Sequence, residues 1–210
     1  IKFPKRNEWP ELLTRPEFER NQFTKVVSDI LSEVKLKGDR ALFDFTKKFD
    51  KATLSSLVIS ENEINEAVQL VPEDLKNAIN LAKENIEKFH SSQNTVEPII
   101  ETTKGVKCWR KNVAIEKVGL YIPGGTAPLF STILMLAIPA KIAGCKEVVL
   151  CTPPDKNGNI NPAILYTASL VGVTKIFKVG GAQAIAAMAY GTETIPQVYK
   201  IFGPGNQFVA

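Results

Sequence analysis

Three glycine-bearing turns, each closing a short β-rich run, constrain this chain more than any other feature. They are Val118-Gly119-Leu120-Tyr121-Ile122-Pro123-Gly124-Gly125, Ile176-Phe177-Lys178-Val179-Gly180-Gly181-Ala182-Gln183 and Ile201-Phe202-Gly203-Pro204-Gly205-Asn206. Helical patterns separate them. Helices are expected over about Ser131–Ala143, Ala163–Val171 and Ala182–Tyr190, and strands over Glu147–Cys151, Thr174–Val179 and Tyr199–Phe202. Short apolar strands alternating with helices describe a parallel sheet with helical crossovers. In such sheets, ligands bind just beyond the carboxyl ends of the strands. Three bulk-free turns at strand ends therefore predict one shared rim that holds something planar or phosphorylated.

The residues before this region read as helical. Phe23, Val26, Val27, Ile30, Leu31 and Val34 recur at helical spacing, and Gly38 ends that helix. Asp39 is expected to cap the next helix, with Leu42, Phe45 and Phe49 as its apolar stripe. Leu57–Ile59 suits a short strand, and Ser60-Glu61-Asn62-Glu63 matches a capping box. Pro72-Glu73-Asp74 opens a long helix faced by Leu75, Ala78, Ile79, Ala82, Ile86 and Phe89. Beyond Gln93, strands are expected over Val96–Thr102 and Val106–Tyr121, joined by a Lys104-Gly105 turn. The fold class is thus α/β: a helical lead with short strands over residues 1–105, then a Rossmann-like α/β segment over residues 106–210. That sheet reads as incomplete, because Gln207-Phe208-Val209-Ala210 resembles the first turn of a further helix.

Composition excludes several function classes. With 210 residues, 44% hydrophobic and 23% charged, the chain can bury a sizeable core. Lys104, Lys107, Arg110 and Lys111 cluster around Trp109. This is either a nucleic-acid contact or a solvated hairpin face, and the scattered remainder of a net charge of +4 favours the latter. The three cysteines show neither metal-ligand spacing nor a disulfide framework, and the single histidine, His90, cannot form a His-rich metal site. Leu129–Gly144 is too short to span a bilayer and contains Pro139 and Lys141. Free thiols without a signal-peptide pattern lead us to expect a cytoplasmic protein.

Around the rim, Gly203-Pro204-Gly205 begins like a dinucleotide fingerprint but has Phe208 in place of the third glycine, and there is no P-loop. Three side chains are candidates for ligand contact. Tyr121 can stack on or hydrogen-bond a flat ligand, or be a half-buried strand residue. Gln183 starts a helix, where its amide and the helix N-terminus can meet an anion, or where it can simply bond water. Asn206 can bind a ligand or cap the next helix. No acidic or histidine side chain sits within the turns, so the segment reads as equipped to bind rather than to react.

The stretches 118–154 (VGLYIPGGTAPLFSTILMLAIPAKIAGCKEVVLCTPP), 178–196 (KVGGAQAIAAMAYGTETIP) and 200–210 (KIFGPGNQFVA) resemble histidinol dehydrogenases, as do GDRALFDFTKKFD (38–50) and ENIEKFHSSQ (84–93). The resemblance runs over essentially the whole chain. It implies NAD- and zinc-dependent oxidation of L-histidinol to L-histidine by a homodimer. It places NAD contacts on Tyr121, Gln183 and Asn206. It assigns no catalytic or zinc-ligating residue to this sequence, because in the family those lie further along a protein about twice as long. The alternative is a non-catalytic nucleotide-binding or assembly module that kept the sheet.

Overall fold

The computed structural model describes residues 3–14, 20–95, 97–125, 127–206 and 208–209. The chain opens with a short helix α1 (Trp9–Leu12) and continues with α2 (Arg20–Lys37), α3 (Asp39–Phe45), α4 (Glu61–Leu70) and α5 (Glu73–Ser91). A hairpin of β1 (Ile100–Thr103) and β2 (Val106–Cys108) follows. Then β3 (Lys117–Tyr121), α6 (Phe130–Ala143), β4 (Glu147–Thr152), α7 (Pro162–Leu170), β5 (Lys175–Lys178), α8 (Gly181–Tyr190) and β6 (Lys200–Phe202) alternate. The four later strands form one parallel sheet in the order β5-β4-β3-β6. This is the α/β architecture expected from the sequence, with the helical lead and the crossovers in place.

The strands are apolar on both faces because both faces are covered. Val118, Leu120, Val148, Leu150 and Ile176 pack toward α6 and α7. Their neighbours Tyr121, Val149, Cys151 and Phe177 pack toward α8. The helical lead adds a second layer on each side: α4 and α5 lie against α7 and α6, and α2 and α3 lie against α8. Ile79 of α5 joins the first core, and Ile30, Val34 and Leu42 of α2 and α3 join the second.

Local expectations fared unevenly. The capping box is formed: Ser60 Oγ accepts from Glu63 N–H at 3.3 Å, and Glu63 Oε2 accepts from Ser60 N–H at 2.8 Å. Asp39, however, is the first residue of α3 rather than its cap. Gly38 takes the cap position with φ of 54°, and the Asp39 carboxylate instead accepts from Thr194, N–H and Oγ1 alike. In return, Glu193 Oε2 accepts from Asp39 N–H at 2.8 Å. Two residues beyond α8 thus satisfy one donor and the carboxylate acceptor of Asp39 at the start of α3, a long-range pairing that local sequence does not encode. The stripe Leu42-Phe45-Phe49 is broken, because residues Thr46–Asp50 form a π-helical turn that leaves Phe49 exposed.

Two expected strands are shorter than the sequence suggests. Val106–Tyr121 splits into β2 and β3, which belong to different sheets, with an exposed, unpaired stretch between them. The first strand of the hairpin starts at Ile100, and Val96 lies outside the described residues. Leu57–Ile59 makes a single antiparallel bridge, Val58 to Phe177, on the outer edge of β5. Gln207 and Ala210 also lie outside the described residues, and Phe208–Val209 form a turn.

Candidate functional site

The chain leaves β3 toward β4 and β5 on one flank, then returns through α8 to place β6 on the other. The strand order therefore reverses between β3 and β6. A crevice opens at such a switch point, because the connections on its two sides leave the sheet in opposite directions. The turns after β3 (Gly124-Gly125) and β6 (Gly203 to Asn206) both flank this reversal, and the N-terminus of α8 at Gly181 lies beside them. Gly124, Gly125, Asn206, Gly181 and Tyr121 line one cleft of about 1070 Å³. Pro153 to Lys156 after β4, Glu63, Glu66, Ala67 and Leu70 of α4, and the start of α7 also line it.

Gly203 shows why the rim is poor in side chains. A Cβ there would run into the backbone carbonyl oxygen of Tyr121, so the close approach of the two strand ends requires glycine. Gly181 has φ of 64°, a left-handed conformation that starts α8 and directs its N–H back toward β3.

Tyr121 ends β3 with its ring 4% exposed, and its hydroxyl accepts the Gly181 N–H at 2.9 Å. Burial pushes the phenol above its ordinary pKa; the Gly181 bond opposes this, and the charge of Asp50 adds to it. The side chain is thus a neutral phenol whose own proton is available to an acceptor in the cleft. Asn206 is exposed on the same cleft, and its Oδ1 accepts from Phe208 N–H at 3.0 Å. Its side-chain oxygen thus holds the turn at Phe208–Val209, while the amide nitrogen remains a donor. Gln183 differs from both. It is 2% exposed within the first turn of α8, and its amide lies over Gly181 rather than on the cleft wall. The fold brings Tyr121, Gly181 and Asn206 to one surface and keeps Gln183 directly behind it.

Acidic residues that the glycine turns did not signal also reach this wall. Asp50, from the π-helical turn, has its carboxyl raised to about 6 by burial. Glu63 uses one oxygen in the capping box and the other in an ion pair with Lys178 at the end of β5. Burial pushes its carboxyl up, but the Lys178 and Ser60 bonds outweigh this and leave it below the ordinary carboxylate value. The sequence signal for this pair was Lys178 immediately before Val179-Gly180, a charge at a strand end. Asp50 gave none, since it reaches the rim only through tertiary packing.

Among the described residues no group of three His, Cys, Asp or Glu side chains is placed to hold a metal, so these residues do not fit a zinc site. His90 Nδ1 lies 2.8 Å from Gln93 Oε1 at the end of α5. Lys104, Lys107, Trp109, Arg110 and Lys111 are exposed on or just beyond the hairpin, with Arg110 paired to Glu97 at 2.7 Å. Among the described residues no helix is long and apolar enough to cross a membrane.

A family model described as histidinol dehydrogenase matches residues 13–210. A histidinol dehydrogenase of Bacteroides thetaiotaomicron is 62% identical over 209 residues, covering 100% of this chain and 49% of the relative. One from Escherichia coli is 52% identical over 200 residues, covering 95% of this chain and 45% of the relative. The crystal structure of histidinol dehydrogenase from Elizabethkingia anophelis superposes with a TM-score of 0.93 at 55% identity, covering 98% of this chain and 48% of that one. The chain spans about half the length of the relatives it matches.

Proposed function

The chain belongs to the histidinol dehydrogenase family, and from that premise we propose that it supplies the NAD-binding rim of a protein that oxidises L-histidinol to L-histidine. The observation that carries this reading is the convergence of Tyr121, Gly181 and Asn206 on one cleft at the reversal of strand order. A dinucleotide needs close backbone approach to its phosphates and directional donors for its polar groups. The Gly203 turn has no room for a side chain, and the start of α8 favours negative charge.

NAD, when bound, supplies the hydride acceptor for each of the two oxidation steps. The residues of this chain orient it. Tyr121 offers a ring edge and a hydroxyl proton fixed in direction by the Gly181 bond. Asn206 offers its amide N–H groups while its carbonyl oxygen holds the turn. Gln183 buttresses Gly181 and meets the cofactor once the first turn of α8 shifts or its amide rotates. The same reading includes zinc, a homodimer and a cytoplasmic setting. Since the described residues do not fit zinc, no step is assigned through the metal, and its ligands are placed by this proposal outside these residues.

The alternative, a non-catalytic nucleotide-binding or assembly module, shares the cleft but not the reaction. The deciding experiment is NADH formation by the purified full-length protein with NAD, zinc and L-histidinol, together with calorimetric NAD titration. Turnover that falls in Tyr121→Ala and Asn206→Ala supports the dehydrogenase. NAD binding without any histidinol oxidation supports the module, and absence of NAD binding sinks both.

A further inference from the structure

The π-helical turn Thr46–Asp50 ends on a residue that the family resemblance does not single out. Lys51 follows with φ of 62°, so the chain reverses at Asp50 and sets it on the cleft wall with Tyr121. The two are close enough for the Asp50 charge to disfavour ionisation of the Tyr121 phenol. Asp50 Oδ2 is shielded from solvent, and no hydrogen-bond donor among the described residues reaches it. A buried carboxylate oxygen without a donor is costly, and its retention at a ligand cleft points to a donor that arrives with the ligand.

We propose that Asp50 accepts hydrogen bonds from the hydroxyls of an unphosphorylated ribose of the dinucleotide, which makes it a specificity residue of the cleft. This rests on the cofactor reading above. The phosphates of a dinucleotide are anionic acceptors and repel a carboxylate. Its ribose hydroxyls are donors, the complement of a carboxylate acceptor. The surroundings point the same way. Glu63 and Glu66 on α4 and Asp155 after β4 share the cleft wall with Asp50, against Lys156 after β4. Glu63 is paired to Lys178. Tyr121 faces Asp50 from β3, and Lys48 and Lys51 flank it on its own turn. Of the charged residues that line the cleft itself, four are acidic and one is basic, so a ribose carrying an additional phosphate meets excess negative charge there.

The test is calorimetric affinity of the full-length protein for NAD, NADP and the 2′-deoxy and 3′-deoxy NAD analogues, from about pH 5 to about pH 8. Because burial holds Asp50 near 6, its acceptor form develops within this range, while Tyr121 remains protonated. Wild-type affinity for NAD should rise with pH to a plateau. Asp50→Asn should bind NAD about ten- to a hundredfold more weakly at the plateau, the loss expected for a bond to a charged acceptor. It should also lose the pH dependence and the preference for NAD over one deoxy analogue and over NADP. Wild type that binds NAD while Asp50→Asn stays within about twofold of it overturns the proposal and leaves the cofactor reading standing. Wild type that binds no NAD at any pH overturns both. If Asp50→Asn does not fold, wild type decides alone: equal affinity for NAD and every deoxy analogue refutes the assignment.

Discussion

At the scale of single residues, the rim combines binding and structural duties in the same atoms. Tyr121 satisfies the N–H at the start of α8 while presenting its own proton to the cleft. Tyr121→Phe therefore strips a buried N–H of its acceptor, which costs about 1–3 kcal/mol. We expect the melting temperature of the full-length protein to fall, by no more than the about 2–4 °C per kcal/mol typical of smaller domains. NAD affinity should also drop, by about two- to tenfold for one neutral bond. A variant that melts like wild type would show that the Gly181 bond carries no stability. Asn206 separates the two duties more cleanly. Asn206→Ala removes both the bond to Phe208 N–H and the amide donor. Asn206→Asp keeps the acceptor and loses the donor. NAD affinity should fall in both, while stability should fall only in the alanine variant. Equal NAD affinity in all three proteins would assign Asn206 to the turn alone.

At the scale of elements, the contacts between strand ends and helix starts position the site. Gly203→Ala places a Cβ against the Tyr121 carbonyl, which is backbone and cannot swing aside. The β3–β6 pairing must open, at a cost of about 1–3 kcal/mol typical of overpacking. Hydrogen exchange at Ile201 and Phe202 should accelerate selectively; uniform protection across the sheet would contradict this account. On the opposite flank, Glu63 links the start of α4 to Lys178 of β5. Its carboxyl lies below the ordinary value, so its stabilisation is present above the unfolded carboxylate pKa and disappears as pH falls through the folded one. Glu63→Gln should cost less than about 1 kcal/mol near neutral pH, because the carboxylate is one-third exposed and screened. The melting difference between variant and wild type should close as pH falls below the ordinary glutamate range and through the depressed folded value. A difference that persists there would place the effect elsewhere.

For the whole molecule, the two faces of the sheet are sealed by the helical lead, but the edges are treated unequally. The outer edge of β5 is bridged by Val58. No described strand pairs with the outer edge of β6, where Tyr199 is 68% exposed and Phe202 38%. An open edge bearing aromatic side chains favours pairing with another chain. Residues 1–210 expressed alone should therefore associate in a concentration-dependent manner. Light scattering checks this, and a monomer that stays clean as concentration rises would count against it.

The sequence by itself determined the alternation of elements, because hydrophobic periodicity, the Ser60–Glu63 capping box and the glycine stops act within a few residues of each other. It also identified the glycine turns and the side chains beside them, since their composition is unusual wherever the chain folds. Only the tertiary structure decided the rest. Asp39 reads as a cap until Thr194 claims its carboxylate from more than 150 residues away. Val106–Tyr121 reads as one strand until the two sheets divide it. Gln183 shares its local pattern with the other rim residues, yet the packing of α8 against α2 sets it behind Gly181. Asp50 sits at the end of a π-helical turn, about seventy residues before Tyr121. Its place on the cleft follows from how α3 docks on α8, and no local rule of spacing or propensity contains that contact.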